Sequence, residues 1–260
     1  CANISGARPR RRAPPPKGVP VFEPLTPQEL EALRRIPTPA LSNAIELFEV
    51  RPRTAGFASG AVLCRFPELG PVAGYAATAV TTAASPHGRR ASVPDYWESV
   101  LALPGPRVAV WHDLDSPVVG AQWGEVQANI HRALGCVGAV SDGGVRDLDE
   151  ARALGFQLFS PHICVSHAYV HLVDFGIPVA IGGLEIRPGD LLVGDQHGVI
   201  QVPLEIAREV PRALRLMDDW ERGVIAASRL EEGALEAMKL QGQPLIGHLT
   251  AQPLVFVGIH

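Results

Sequence analysis

The stretch 124–159 constrains this chain more than any other, because it reads as helix, strand, helix, strand with a glycine stopping each helix. Residues 124–134 carry a helical pattern ending at Gly135, and 148–154 one ending at Gly155; glycine there can take the left-handed backbone that terminates a helix. The short apolar runs 137–140 and 156–159 follow directly. Such alternation builds strands with helices packed over them. Ahead of it, 60–84 is rich in Gly, Ala, Val and Thr and predicts two strands with a turn near 67–70, followed by a helix over 94–103 and a strand over 107–112. Behind it, Gly, Pro and Asp turns separate strands at 179–181, 185–186, 191–193 and 199–202, and amphipathic helices are expected over 204–222 and 228–240.

At the start of the fold, Thr26-Pro27-Gln28-Glu29 has the form of a helix cap with proline in the first turn, so a helix should run to about residue 36. Thr38-Pro39 predicts a second cap and a helix over 40–48. Strands in runs on both sides of the βα units are incompatible with an eight-fold barrel, which needs regular alternation throughout. One layered α/β or α+β unit is expected.

Composition narrows the chemistry. Of 260 residues, 47% are hydrophobic and 19% charged, which supports a substantial core and excludes full disorder. Residues 1–20 are Pro- and Arg-rich without periodicity and predict a disordered tail. The net charge of −4 gives no basic field, so no nucleic acid partner is expected. No apolar run reaches the roughly 18 residues of a membrane span, so no membrane partner is expected either. Only Lys17 and Lys239 among the basic residues are lysines, which leaves a Schiff-base mechanism almost without a candidate. The four cysteines form no CxxC pair.

The densest constellation is Gly120-Ala121-Gln122-Trp123-Gly124-Glu125 with Ser141-Asp142-Gly143-Gly144-Val145-Arg146-Asp147. Each segment stands just ahead of a predicted helix. The N–H groups of Val126 and Gln127, in the first turn, have no intrahelical partner and suit a small carboxylate. Gly143-Gly144 should turn the backbone sharply and deliver Arg146 and Asp147 to the end of a buried strand. Arg146 offers a planar cation for a carboxylate or an enolate oxygen, and Asp147 a hard oxygen for Mg²⁺ or Mn²⁺. Each residue also has a purely structural reading. Asp147 with Glu150 spells a capping box, Arg146 suits an ordinary ion pair, Glu125 complements a helix dipole, and Asp142 reads as a turn residue.

Two other groups favour structural roles. Pro188-Gly189-Asp190 and Asp195-Gln196-His197-Gly198 read as turns between strands. His162, His167 and His171 would share a metal only if their segment were helical, and its valines suit extended chain better. No GxSxG, P-loop or GxGxxG motif occurs.

Residues 138–203, with GAVSDGGVRDLDEARALGFQLF, GIPVAIGG and RPGDLLVGDQHGVIQVP, resemble the RraA-like family. That family holds class II pyruvate aldolases, which cleave 4-hydroxy-4-methyl-2-oxoglutarate and 4-carboxy-4-hydroxy-2-oxoadipate, and the regulator of ribonuclease activity A. The resemblance covers roughly 35–240 and is strongest over 120–203. Its catalytic members carry an acid, twenty intervening residues, then Arg-Asp; here Glu125, Arg146 and Asp147 keep that spacing, with Glu where Asp is usual.

The resemblance implies a three-layer β/β/α swivelling-type α/β domain over 21–260 with N- and C-terminal helices. Asp147 would bind the metal, Mg²⁺ or Mn²⁺, and Glu125 one of its waters. Arg146 would stabilise the enolate. Gly124 and the N–H groups of Val126 and Gln127 would hold the substrate carboxylate. It further implies a cytoplasmic homotrimer or hexamer that releases pyruvate from a small-molecule 2-oxo acid and decarboxylates oxaloacetate. The alternative within the family is a non-catalytic ribonuclease-binding regulator. An enzyme of the same fold with another hydroxy-oxo acid is a third reading.

Overall fold

The computed structural model describes residues 23–228 and Lys239; the tail 1–20 and almost all of the expected 228–240 helix lie outside them. Helix α1 (Pro27–Arg34) opens as its sequence dictates: the Thr26 hydroxyl accepts the Glu29 N–H at 3.2 Å and the Glu29 carboxylate accepts the Thr26 N–H at 2.7 Å. Helix α2 (Thr38–Glu46) differs from expectation. Pro37 holds the cap position, and the Thr38 N–H and hydroxyl both donate to the carboxylate of Asp195, at 2.8 and 2.7 Å.

The chain continues through β1 (Leu63–Cys64), β2 (Val72–Thr82), α3 (Val93–Ala102), β3 (Arg107–Asp113), β4 (Ala121–Trp123), α4 (Glu125–Ala133), β5 (Cys136–Ser141), β6 (Gly144–Val145) and α5 (Leu148–Leu154). Then come β7 (Gln157–Ser160), β8 (His162–Ile163), β9 (His171–Phe175), β10 (Val179–Ile181), β11 (Leu184–Ile186), β12 (Leu191–Asp195), β13 (Gly198–Val202) and α6 (Val210–Ser228). Helix α6 starts six residues later than the periodicity suggests. Ile206, Glu209 and Arg212 donate to carbonyls three residues back, which makes a run of turns before the helix.

The main sheet has the order β1-β7-β5-β3-β2-β12-β13. Strands β2, β3, β5 and β7 are mutually parallel. The eleven-residue β2 takes two antiparallel partners, β12 along Val72–Tyr75 and β9 along Ala79–Thr82. Its alternation sets the layers, since successive side chains leave a strand on opposite faces. Ala73 and Tyr75 pack with α1, α2 and α6, and Ala77 and Ala79 with α3, α4 and α5. Ala76 and Val80 face the opposite way, against the β10–β11 hairpin, where Val179, Ile181, Leu184 and Ile186 are buried. Helices, main sheet and hairpin are the three layers of a β/β/α fold. Burial on both faces explains why β2 lacks the apolar–polar alternation of a half-exposed strand.

Strands β4, β6 and β8 escape the sequence because they are two or three residues long. They form a separate parallel sheet, and its first two members lead into the helices of the site.

Candidate functional site

Strands β4 and β6 run side by side, and the Arg146 N–H donates to the Trp123 carbonyl at 2.9 Å. That bond brings Gly124-Glu125 beside Arg146-Asp147, so residues with some twenty others between them in sequence become neighbours. Gly143 and Gly144 contribute differently from the expected sharp turn: neither has positive φ. A Cβ on Gly143 would lie 2.5 Å from the Gln122 side chain, and one on Gly144 2.5 Å from Cys164 Sγ. Both are glycine because neighbouring chains pass too close for a side chain.

Asp147 also departs from its sequence reading. It occupies the cap position of α5 in a left-handed conformation (φ 51°, ψ 48°) and makes no side-chain cap there. Its Oδ2 instead accepts the Glu125 N–H at 3.1 Å, and the Arg146 Nε lies 3.5 Å from the same oxygen. The Asp147 carboxylate therefore caps α4 and not its own helix. Gly124 permits this, because a Cβ there would sit 2.4 Å from Oδ2.

The side chains of Arg146 and Asp147 are about one-third exposed, at 36% and 33%, and Glu125 is exposed. Among the described residues the Val126 and Gln127 N–H groups have no acceptor, whereas the Ala128 N–H returns to Gly124. The sequence-selected residues are thus brought together: a guanidinium, one hard carboxylate, a second carboxylate at a helix start, and two open N–H groups. No cluster of three or more His, Cys, Asp or Glu side chains is present among the described residues. The donor set fits a hard, largely hydrated dication held by one or two carboxylates, and not a metal fully enclosed by protein ligands.

The structure supplies a support network that the sequence did not announce. Trp111 Nε1 donates to the Tyr96 hydroxyl at 2.8 Å, and that hydroxyl lies 2.9 Å from His131 Nε2. His131 Nδ1 is 2.8 Å from the Gln127 carbonyl. A carbonyl only accepts, so Nδ1 carries the proton and Nε2 receives that of Tyr96. Burial pushes His131 down to about 4, which keeps the ring neutral. The chain of bonds anchors the first turn of α4.

Beside it, the Ser141 hydroxyl accepts the Gly143 N–H at 3.0 Å and lies within 2.8 Å of both the Trp111 carbonyl and Gln122 Oε1. Asp142 is more than a turn residue. It lies 2.6 Å from His112 Nδ1 and accepts the Asp113 N–H at 2.7 Å, and its hydrogen bond raises the His112 pKa. Burial pushes Asp113 up to about 6.

The other sequence groups take structural places. Asp190 accepts the Arg187 N–H and Gln201 Nε2, and Asp195 holds Thr38 and the His197 N–H. His162 is exposed, and the rings of His167 and His171 sit against the carbonyls of Ala168 and Tyr169. Their segment is not helical, so the shared face that a metal reading requires does not form. No helix among the described residues is long and apolar enough to cross a membrane.

Fold and site together define an α/β protein with a carboxylate–guanidinium pair at a helix start. The profile of the RraA-like family, Aldolase/RraA, matches residues 38–201, and the chain belongs to that family. A relative from Halalkalibacterium halodurans, named "Putative 4-hydroxy-4-methyl-2-oxoglutarate aldolase", is 32% identical over 103 residues, which is 39% of this chain and 48% of the relative. A protein of Methanocaldococcus jannaschii, MJ0644, is 30% identical over 40% of this chain and 50% of its own. The chain spans about half the length of these curated relatives. Among solved structures, Streptomyces coelicolor RraAS2, described as an unusual member of the RNase ES inhibitor RraA protein family, aligns with TM-score 0.61 and 23% identity over 78% of this chain and 98% of that one. A Pseudomonas syringae protein aligns with TM-score 0.63 and 23% identity over 90% and 99%. These two likenesses establish the fold alone.

Proposed function

We propose that the chain is a divalent-metal-dependent carbon–carbon lyase that cleaves a 4-hydroxy-2-oxo di- or tricarboxylic acid to pyruvate, with oxaloacetate decarboxylation as a side reaction. One observation carries the reading: the Glu125 N–H and the Arg146 guanidinium converge on a single oxygen of Asp147, next to two open N–H groups. The family membership and the aldolase name of a partial relative support it.

In this reading the Val126 and Gln127 N–H groups, at Gly124, receive the substrate's C1 carboxylate at the positive end of α4. Arg146 faces the 2-oxo oxygen. The C4 hydroxyl passes its proton to a water molecule in the site, C4 becomes a carbonyl, and the C3–C4 electrons pass to C2–C3 and the 2-oxo oxygen. Arg146 balances the charge arriving there, and protonation at C3 yields pyruvate. Loss of carbon dioxide from oxaloacetate leads to the same enolate. Asp147 would hold Mg²⁺ or Mn²⁺ through oxygen and Glu125 one of its waters, and the bound ion would supply Lewis-acid charge to the 2-oxo group. The soluble homotrimer or hexamer typical of the resemblance, and a cytoplasmic location, belong to the same proposal.

The test is pyruvate release from a panel of 4-hydroxy-2-oxo acids and from oxaloacetate, with Mg²⁺, Mn²⁺ or chelator. Release that depends on the dication and disappears in Asp147→Ala supports the reading. Absence of dication-dependent release from every acid rejects it.

A further inference from the structure

Between α3, β9 and the first turn of α4 lies a cavity of about 390 Å³, lined by Arg90, Tyr96, Trp97, Trp111, Gln122 and His171, with apolar atoms of Val93, Val170 and Leu172. Gln127 reaches it, but Glu125, Arg146 and Asp147 do not line it. It is therefore distinct from the carboxylate–guanidinium pair, although both abut the same helical turn. Its size falls at the lower end for small-molecule sites, roughly 300–1,000 Å³, which suits one ring and a short chain.

Three properties of the wall define an occupant. Two indoles and a phenol ring supply flat apolar surface, which favours an aromatic body. Arg90 is exposed and adds a guanidinium, whereas no carboxylate among the described residues lines the cavity, so an anion is favoured over a cation. The third property is polar. Gln122 and His171 are buried, at 2% and 8% exposure, yet Gln122 Nε2 and His171 Nε2 have no hydrogen-bond partner among the described residues.

Unsatisfied buried groups are costly and call for a reason. Because His171 Nδ1 sits 2.9 Å from the Tyr169 carbonyl, Nδ1 carries the proton and Nε2 of the neutral ring is an acceptor. Gln122 Nε2 is a donor. A hydroxyl group both donates and accepts, and so answers the two.

We propose that this cavity binds a hydroxylated aromatic carboxylate, with its ring against the indoles, its hydroxyl toward Gln122 and His171, and its carboxylate toward Arg90. The site does not depend on the lyase reading, because none of the residues placed in that chemistry by side chain lines it.

The experiment titrates the full chain with 3-(4-hydroxyphenyl)propanoate, followed by calorimetry and by quenching of tryptophan fluorescence. Saturable binding is expected, about tenfold weaker for 3-phenylpropanoate, for Arg90→Gln, and for Val93→Trp, which fills the cavity mouth from an exposed position; tenfold corresponds to one lost polar contact of about 1.4 kcal/mol. Binding should be unchanged in Arg146→Ala. Absence of saturable binding, equal affinity for the two acids, indifference to both cavity variants, or loss in Arg146→Ala would each overturn the proposal. Pyruvate release measured on the same samples reports separately on the lyase reading.

Discussion

The Asp147 carboxylate accepts the backbone N–H of Glu125 at 3.1 Å, so a side chain at the head of one helix closes the start of another. This bond ties α4 to α5 at the point where Arg146 also approaches, and it fixes where a cation and a substrate carboxylate can sit relative to each other.

Asp147→Asn retains an oxygen that can accept the Glu125 N–H but removes the charge. The fold should survive, as read by circular dichroism, while dication-dependent pyruvate release falls by about 100-fold or more, because a neutral amide oxygen is a much weaker ligand than a carboxylate for a hard dication. An unchanged rate in Asp147→Asn would remove the aspartate from the chemistry.

Arg146→Lys keeps the cation and loses the planar fork. A fall in kcat of about 10²-fold, with little change in thermal midpoint, is expected if the guanidinium meets the enolate oxygen. Steady-state kinetics at saturating metal reads the result, and a pure rise in KM would point to ground-state binding only.

Gly124→Ala tests the crowding. Its Cβ would lie 2.4 Å from Asp147 Oδ2 and 3.2 Å from Arg146 Cγ, which forces the pair apart. Overpacking of this kind costs about 1–3 kcal/mol, measurable by urea unfolding, and pyruvate release should drop together with stability. Gly155→Ala is a contrasting control: a Cβ there meets no neighbour, but its φ of +72° is unfavourable for alanine, so stability should fall while the site is left in place.

His131 makes stability pH-dependent. Its ring is buried and its pKa is pushed down to about 4 from 6.5. Between those values the unfolded chain binds the proton and the folded chain does not, so stability is complete above pH 6.5 and is lost as pH falls toward 4. The full effect is about 3 kcal/mol. Asp113 acts in the opposite sense: raised to about 6 from 3.8, it favours the fold below pH 3.8 and loses that contribution as pH rises through 6. The two contributions are similar in size and oppose each other, so denaturant unfolding of Asp113→Asn across pH 4–7, where the His131 part is no longer offset by Asp113, should show the fall toward acid. Tyr96→Phe should lower stability at neutral pH by about 1–3 kcal/mol, because His131 Nε2 and Trp111 Nε1 lose their partner.

Periodicity and turn residues were sufficient for the long elements. The capping box at Thr26, the helix stops at Gly135 and Gly155, and the strand alternation near Val108 depend on neighbours within a few positions. The residues of the candidate site were legible through spacing and family resemblance, and the β4–β6 pairing brings Glu125 and Arg146 together across the twenty residues between them. What remained hidden involves partners far apart in sequence. Thr38 looks like a local cap until Asp195 arrives from 157 positions away. Asp147 looks like the first residue of a capping box until its left-handed backbone turns the carboxylate toward α4. The Trp111–Tyr96–His131 chain has no periodic signature, since its members belong to three different elements.

Strand β2 presents alanine at positions 73, 76, 77 and 79, nearly all without exposed surface. Helices on one side and a hairpin on the other pack against these small side chains, so a larger residue there would press on the layer above it. Sequence change in this scaffold is therefore more readily absorbed at strand tips and helix entrances than along the middle of β2.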